Sequence, residues 1–299
     1  MIGEIPLMRF RYAYGGDEFL FVEISEDMRL ESYFLALEIT SKLREKAITG
    51  IIDICPANSS FMIRFNPDHI HPDSLIKLLK DLEKEANHSS DVSITSRIVD
   101  VPILFDDPWS HEAIMRFRDR HQEPEMTDIE YSMKVNGFEQ KEDFFRALTD
   151  RPYIMLMVAF MPGLCTTYQL TSEEKHIQAP KYVKPRTFTP ERAFGIGGAF
   201  ACIYPVDAPG GYQLVGRAAA PVLDKDQRLP DFKESMIFPR IGDIFKYRMI
   251  DQDEYQQIRT QVEDGTFKYN IKEITYSPSD LLSNMDTFSE EVTRRLYHD

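Results

Sequence analysis

Apolar positions along the first hundred residues alternate between strand-like and helix-like spacing. Phe19 to Ile24 (FLFVEI) has the length and composition of a buried strand. Asp27 then opens an amphipathic stretch whose apolar residues Leu30, Tyr33, Phe34 and Leu37 fall on one helix face. Gly50 is a turn, and Ile51 to Cys55 and Phe61 to Phe65 are two short strands joined by Pro56-Ala-Asn-Ser-Ser. Pro72 suits a first helical position, with Leu75, Leu78, Leu79 and Leu82 forming one face behind it. Ile98 to Phe105 is a further strand. The order β-α-β-β-α-β predicts a ferredoxin-like α/β domain over residues 1–96, and the polar stretch between Asn87 and Ser96 is the best boundary in the chain.

Residues 109–150 are helical in pattern. Thr127 with Glu130 makes a capping box, and Asn136-Gly137 ends that helix. From Tyr153 the texture changes to short strand-like pieces between Pro- and Gly-rich turns: Ile154–Phe160, Phe194–Cys202, Gln213–Ala218 and Phe245–Met249. Such punctuation predicts a β-barrel or sandwich, assigned to residues 97–273 with the helical insertion inside it. Two helices close the chain, Glu254 to Val262, stopped by Gly265, and Asp280 to Tyr297 within an extension over 274–299. The extension carries an apolar stripe, Leu281, Met285, Phe288, Val292 and Leu296, that must be covered. Docking on a partner subunit is the expectation, with packing on the chain's own barrel as the alternative.

Composition narrows the class. With 42% hydrophobic and 28% charged residues over 299 positions, the chain can bury a real core and is neither disordered nor a small disulfide scaffold. Its net charge of −14 repels phosphate backbones, so nucleic acid is not an expected partner. The odd count of three cysteines, Cys55, Cys165 and Cys202, far apart in apolar contexts, predicts buried thiols and no metal site. No targeting segment is legible, and the longest apolar run, Tyr153 to Met161, is about half of what a membrane helix needs. The expectation is a soluble, cytoplasmic protein without membrane contact.

Familiar catalytic motifs are missing. Gly195-Ile-Gly-Gly198 is a fragment of a dinucleotide fingerprint without its strand-turn-helix setting, and His69 and His71, without a third ligand nearby, read as a surface turn. One stretch departs from the acidic background. Lys181-Tyr-Val-Lys-Pro-Arg186 carries three cations and no acid, a pattern able to hold a carboxylate or a polarised carbonyl, though also that of a solvated strand edge. Gly195, Gly197 and Gly198, and then Pro209-Gly210-Gly211-Tyr212-Gln213, permit either tight corners or close backbone approach to a ligand.

The run PKYVKPRTFTPERAFGIGGAFACIYPVDAPGGYQLVGR resembles the carboxyltransferase signature of the urea carboxylase and allophanate hydrolase subunit 1 family, which also includes the kinase A inhibitor and the B component of 5-oxoprolinase. Lys181-Tyr182, Arg186-Thr187, Cys202-Ile-Tyr204 and Pro209-Gly-Gly-Tyr-Gln213 follow the urea carboxylase version, whereas Met161-Pro162-Gly163 and Tyr204-Pro205 follow the inhibitor-like one. Asp150-Arg151-Pro152 stands where the inhibitor-like proteins carry a His, and Met161 to Cys165 replaces a Gly-Asp-Val-Tyr-Leu-Gly stretch of the urea carboxylases.

This resemblance implies an N-terminal α/β domain followed by a cyclophilin-like β-barrel, an α+β chain. It also implies a ligase component, one of two polypeptides that form the carboxyltransferase of a biotin-dependent carboxylase in a hetero-oligomer. The biotin would be carried on a partner, and ATP and bicarbonate used by a partner biotin carboxylase. The acceptor would be a small substrate of the urea, guanidine or amide type. Lys181, Arg186 and Arg217 would stabilise the moving carboxylate, with Tyr182 and Tyr204 as donors. Thr187, Gly197, Gly198, Pro209, Gly210, Gly211, Tyr212 and Gln213 would line the biotin and substrate wall. A non-catalytic regulatory subunit and the B component of an ATP-dependent 5-oxoprolinase are the alternatives. No segment resembles a biotin-accepting lysine turn, so the chain itself should not be biotinylated.

Overall fold

The computed structural model describes residues 9–86 and 93–298, which form two compact units: residues up to 94 with 276–283, and residues 95–275 with 284–298. Most of the polar stretch expected as a boundary, residues 87–92, lies outside the described residues.

In the first unit, β1 (Arg11–Gly15) and β2 (Phe19–Glu23) form a hairpin, followed by α1 (Leu30–Glu45). A second hairpin, β3 (Ile51–Pro56) and β4 (Ser60–Phe65), leads to α2 (Pro72–Ala86). The sheet order is β1-β2-β4-β3, antiparallel throughout. Alternation along β2 and β4 buries Leu20, Val22, Phe61, Ile63 and Phe65 in one core with Ile39 and Leu43 of α1 and Leu75, Leu79 and Leu82 of α2. The strand expected to complete this sheet, Ile98 to Phe105, does not belong to it. The edge place that a β-α-β-β-α-β unit gives to its last strand is filled by β1, whose pattern of exposed residues gave no apolar run to read.

The second unit is a seven-stranded mixed barrel. β5 (Ile94–Phe105) is buried at every position from Ile98 onward, the mark of a strand covered on both faces rather than the half-buried alternation of the first sheet. After it come α3 (Pro108–Arg116), α4 (Asp128–Asn136) and α5 (Lys141–Thr149), where the helical insertion was expected. The capping box forms as read: Thr127 N–H donates to Glu130 at 2.7 Å, Glu130 N–H to Thr127 at 3.2 Å, and Gly137 ends α4 at φ +75°. The insertion buries Ile129, Met133, Phe144 and Leu148 on the barrel, and Phe145 stacks on Phe105 with ring centroids 4.6 Å apart.

The barrel strands that follow are β6 (Tyr153–Val158), β7 (Cys165–Gln169), then β8 (Arg186–Thr189), which stands outside the barrel, β9 (Ala193–Gly197) and β10 (Phe200–Ile203). β11 (Ala208–Gly210) pairs with β8 as a separate two-stranded ribbon. β12 (Gln213–Ala218) and β13 (Ile244–Met249) close the cycle β5-β12-β9-β10-β7-β6-β13-β5, in which only β5 and β13 run parallel. The stretch Phe194–Cys202, expected as one strand, is a hairpin that turns at Gly198, φ +61°. α6 (Gln252–Glu263) and β14 (Ile271–Tyr276), which adds to β5, complete the unit's frame.

The C-terminal stripe is covered by the chain itself. The expected single helix is two, α7 (Pro278–Ser283) and α8 (Met285–Tyr297), broken at Asn284, whose side chain caps α8 through Thr287 N–H at 3.0 Å. Leu281 is buried in the first unit, and Phe288, Val292 and Leu296 are buried in the second. Tyr297 donates to Asp100 at 2.8 Å and Asn270 to the Leu296 carbonyl at 3.1 Å. Docking of this stripe on a partner is therefore overturned. Cys165 and Cys202 are buried thiols as expected, the former pushed up to about 12 by burial, but Cys55 is exposed because the alternation of β3 places it on the solvent face, between buried Ile54 and Pro56 and opposite exposed Met62. His69 and His71 are both exposed beside α2. Among the described residues, no helix is long and apolar enough to cross a membrane.

Candidate functional site

Three backbone links hold the 180s loop, one to the β9–β10 turn and two to residues 208–213. Ala179 and Gly198 exchange hydrogen bonds at 3.1 and 2.7 Å, Tyr182 N–H donates to the Gly211 carbonyl at 2.8 Å, and β8 pairs with β11. Two of the glycines are required by tyrosines. A Cβ on Gly210 would stand 2.3 Å from the Tyr204 hydroxyl, and one on Gly197 would stand 2.5 Å from the Tyr212 ring. Their smallness serves packing beneath the surface, whereas Gly198 opens on empty space.

Beneath the loop lies a buried ionic network that the sequence did not announce. Asp128, the first residue of α4, accepts from the Tyr182 hydroxyl, from Leu214 N–H at 2.7 Å and from Arg186 at 3.3 Å. Arg186 also donates to the Tyr212 carbonyl at 2.7 Å and lies over the Tyr182 ring, 4.5 Å from its centroid. Both charged side chains are 0% exposed. Gln213 donates to the Pro180 carbonyl at 2.7 Å, which turns its oxygen toward His121 Nε2 at 3.0 Å. On the other side of the ring, Nδ1 lies 2.9 Å from both the N–H and the carbonyl oxygen of Glu123. Burial pushes the Asp128 carboxyl up, opposed first by Arg186 and then by Tyr182 and the Leu214 N–H. Burial, and the Asp128 charge after it, likewise pushes the Tyr182 phenol up.

Arg186 thus has no free donor face to offer a ligand, which runs against the expectation that it stabilises a moving carboxylate. Gln213, Tyr182 and Tyr204 are also buried, and burial pushes both phenols further above their ordinary range. These residues position the loop. What they present outward is a different set: exposed Lys181, Lys184, Thr187 and Pro209, with half-buried Tyr212, Gly198 and Gly211 between them. Lys181 Nζ stands 5.0 Å from the Tyr212 ring centroid, and among the described residues neither Lys181 nor Lys184 pairs with an acid. Arg120 fixes the underside through the Pro185 carbonyl at 2.8 Å. The face can offer two uncompensated ammonium groups, a hydroxyl, an aromatic surface and accessible main chain.

Arg217 is not part of this face. Its guanidinium lies over Trp109 at 4.7 Å and donates to the Glu191 carbonyl at 3.1 Å. Burial, and after it the charge of Arg192, depresses its pKa. The structure therefore gathers twelve of the thirteen candidate residues around the 180s loop and separates one. Sequence reasoning missed Asp128 because an acid in the first turn of a capped helix has an ordinary explanation in the helix dipole. A second buried group it passed over is His176, packed on Tyr168 with centroids 4.4 Å apart and pushed down to about 4 by burial.

The carboxyltransferase domain family, subdomains C and D, matches residues 10–232. Urea amidolyase of Saccharomyces cerevisiae is 24% identical over 286 residues, 94% of this chain but 15% of that protein. The B component of 5-oxoprolinase from Bacillus subtilis is 21% identical over 262 residues, 85% of this chain and 98% of that protein. The crystal structure of the K. lactis urea carboxylase superposes on 100% of this chain and 27% of its own, at TM-score 0.82 and 22% identity. The chain thus spans about one seventh of the urea amidolyase it resembles.

Proposed function

From the chain's membership of the carboxyltransferase domain family, subdomains C and D, we propose that it forms one half of the carboxyltransferase site of a biotin-dependent carboxylase, completed by a second subunit. The reading is carried by the face around Lys181, where cations without acidic partners stand on a loop held from beneath by a buried ion pair. Carboxybiotin, borne on a partner, would supply the carboxyl group to a small urea-, guanidine- or amide-type acceptor. The exposed groups suit it by their chemistry. Lys181 and Lys184 would hold the carboxylate, Thr187 would donate to the ureido oxygen, and the Tyr212 ring and the main chain at Gly198 and Gly211 would back the bicyclic body.

The task of this chain in such a reaction is electrostatic and geometric. An ammonium beside a migrating carboxylate lowers the cost of the charge that develops there, and more so once a second surface excludes water. Asp128 and Arg186 contribute by keeping the Lys181–Pro185 loop in one conformation, so that the cation need not be ordered during reaction. Tyr182 and Tyr204 exchange no proton with substrate, since both hydroxyls are buried under the loop.

A second reading, the B component of an ATP-dependent 5-oxoprolinase, is supported by the likeness extending over 98% of the Bacillus subtilis protein. Purification of the chain with its natural companions separates the two. The carboxylase reading expects a biotinylated companion, detected by streptavidin, and carboxyl transfer only in the mixture. Recovery of an active complex without any biotinylated chain contradicts it.

A further inference from the structure

A separate cavity of about 270 Å³ lies in the second unit between the turn after β8, the turn after β10, the loop after β12 and helix α6. It shares no lining residue with the Lys181 face. Four cations line it, Arg192, Lys225, Arg228 and Arg259, against two acids, Glu191 and Asp224. This excess stands in a chain of net charge −14.

Of the two acids, only Glu191 pairs with a lining cation, Arg192, among the described residues, so the cations remain in excess. The Asp224 carboxylate is engaged by backbone donors of its own loop, Leu229 N–H at 2.9 Å and Asp226 N–H at 3.3 Å. Glu191, half exposed, faces Arg192 Nε at 3.2 Å and Arg217 at 3.9 Å. Arg192 and Arg259 spend one nitrogen each on neutral acceptors, Arg192 on the Ala218 carbonyl at 3.2 Å and the Tyr255 hydroxyl at 3.0 Å, Arg259 on the Ala219 carbonyl at 3.1 Å. Among the described residues, Lys225 and Arg228 form no ion pair. Burial and the nearby Arg192 charge depress the pKa of Arg259, as they do that of Arg217. Like charges gathered this closely are costly, and Glu191 and Glu263 offset that only in part at Arg259, whose pKa still lies below its usual value.

The backbone adds an independent sign. Arg192 adopts φ +64°, a left-handed conformation that a non-glycine residue enters only where surrounding contacts enforce it. Its N–H donates to the Tyr204 carbonyl at 2.6 Å and its carbonyl accepts from Ala218 N–H at 2.8 Å, so the strain is locked in at the turn that delivers its side chain to the cavity. The remaining wall is apolar, with Pro205, Leu223 and Val262 among its members.

We infer that this cavity binds a small organic anion, a carboxylate with an apolar body, at a site distinct from the carboxyl-transfer face. Guanidinium forks match a carboxylate in two-point geometry, and the proline and aliphatic wall receives a hydrocarbon or ring portion that a bare oxyanion lacks. A guanidine-type acceptor is cationic and is repelled here. The site therefore serves an anionic molecule other than such an acceptor, whether or not the carboxyl-transfer reading holds.

Titration of the full chain with benzoate, benzamide and inorganic phosphate at low ionic strength tests this. Benzoate is expected to saturate a single site, with benzamide and phosphate each at least tenfold weaker, the first lacking the charge and the second the apolar body. Arg259→Gln should weaken benzoate about tenfold, a loss typical of one charge-assisted contact. The paired rim substitutions Lys225→Gln and Arg228→Gln, on exposed side chains that folding does not need, should weaken it further. Absence of saturation overturns the inference, as does benzamide binding as tightly as benzoate or affinity unchanged in the rim variant. Phosphate binding as tightly as benzoate overturns the assignment to an organic anion.

Discussion

The carboxylate of Asp128, at the start of α4, and the guanidinium of Arg186, at the start of β8, meet 3.3 Å apart with no surface exposed to water. They tie the helical insertion to the loop that carries Lys181. Two charges buried together cost several kcal/mol in desolvation, offset here by Tyr182, the Leu214 N–H and the Tyr212 carbonyl, which complete their hydrogen bonds. Breaking such a pair leaves one charge stranded.

Arg186→Met should therefore destabilise the chain by about 3–5 kcal/mol, the usual cost of removing one partner of a buried pair. A surface cation would cost about 0–1 kcal/mol. Chemical denaturation reads the difference directly. A stability unchanged within 1 kcal/mol would remove the network from the account.

His176 supplies a pH dependence. Its folded pKa lies near 4, below the 6.5 of the free side chain, so the folded state prefers the neutral ring. Protonation then favours the unfolded chain, and the contribution is fully present above pH 6.5 and lost as pH falls toward 4. The loss approaches about 3 kcal/mol at the lower end. His176→Phe should flatten urea midpoints over that window while the wild type declines. Parallel profiles would contradict the assignment.

Gly197→Ala should cost about 1–3 kcal/mol, because its methyl would meet the Tyr212 ring, a rigid neighbour. Removing that ring relieves the clash. The double variant Gly197→Ala with Tyr212→Ala should be less destabilised than the sum of the two single changes. Strict additivity in thermal melts would place the strain elsewhere.

Leu296→Ala should lower stability by about 2–5 kcal/mol, since this side chain is buried within the second unit. A variant as stable as the wild type would return the C-terminal stripe to the role of a partner-docking surface.

What could be read before the structure was known follows from range along the chain. α2, α6, the capping box at Thr127 and the barrel texture after Tyr153 are local patterns of period, cap and turn, and they were legible. β1 was not, since Arg11–Gly15 has four exposed positions out of five and pairs only by hairpin with β2. The run Ile98–Phe105 was legible as a strand but not as a barrel strand, because periodicity does not say which sheet a fully buried strand joins. At the site, the cation-rich stretch and the glycines marked the right loop. Which cation turns outward depends on Asp128, some fifty residues earlier, and no local pattern connects it to Arg186. Arg217 shows the same limit: it is near in sequence to Gln213 yet faces Trp109.

The measurement closest to the central claim is steady-state carboxyl transfer by the assembled complex carrying Lys181→Met in this chain. Lys181 is exposed and forms no ion pair among the described residues, so the melting temperature and partner binding should stay at wild-type values. Loss of one cation at the migrating carboxylate predicts a fall in kcat/KM of about a hundredfold. Near-wild-type turnover by that intact complex would contradict the placement of the carboxyl-transfer site on this face.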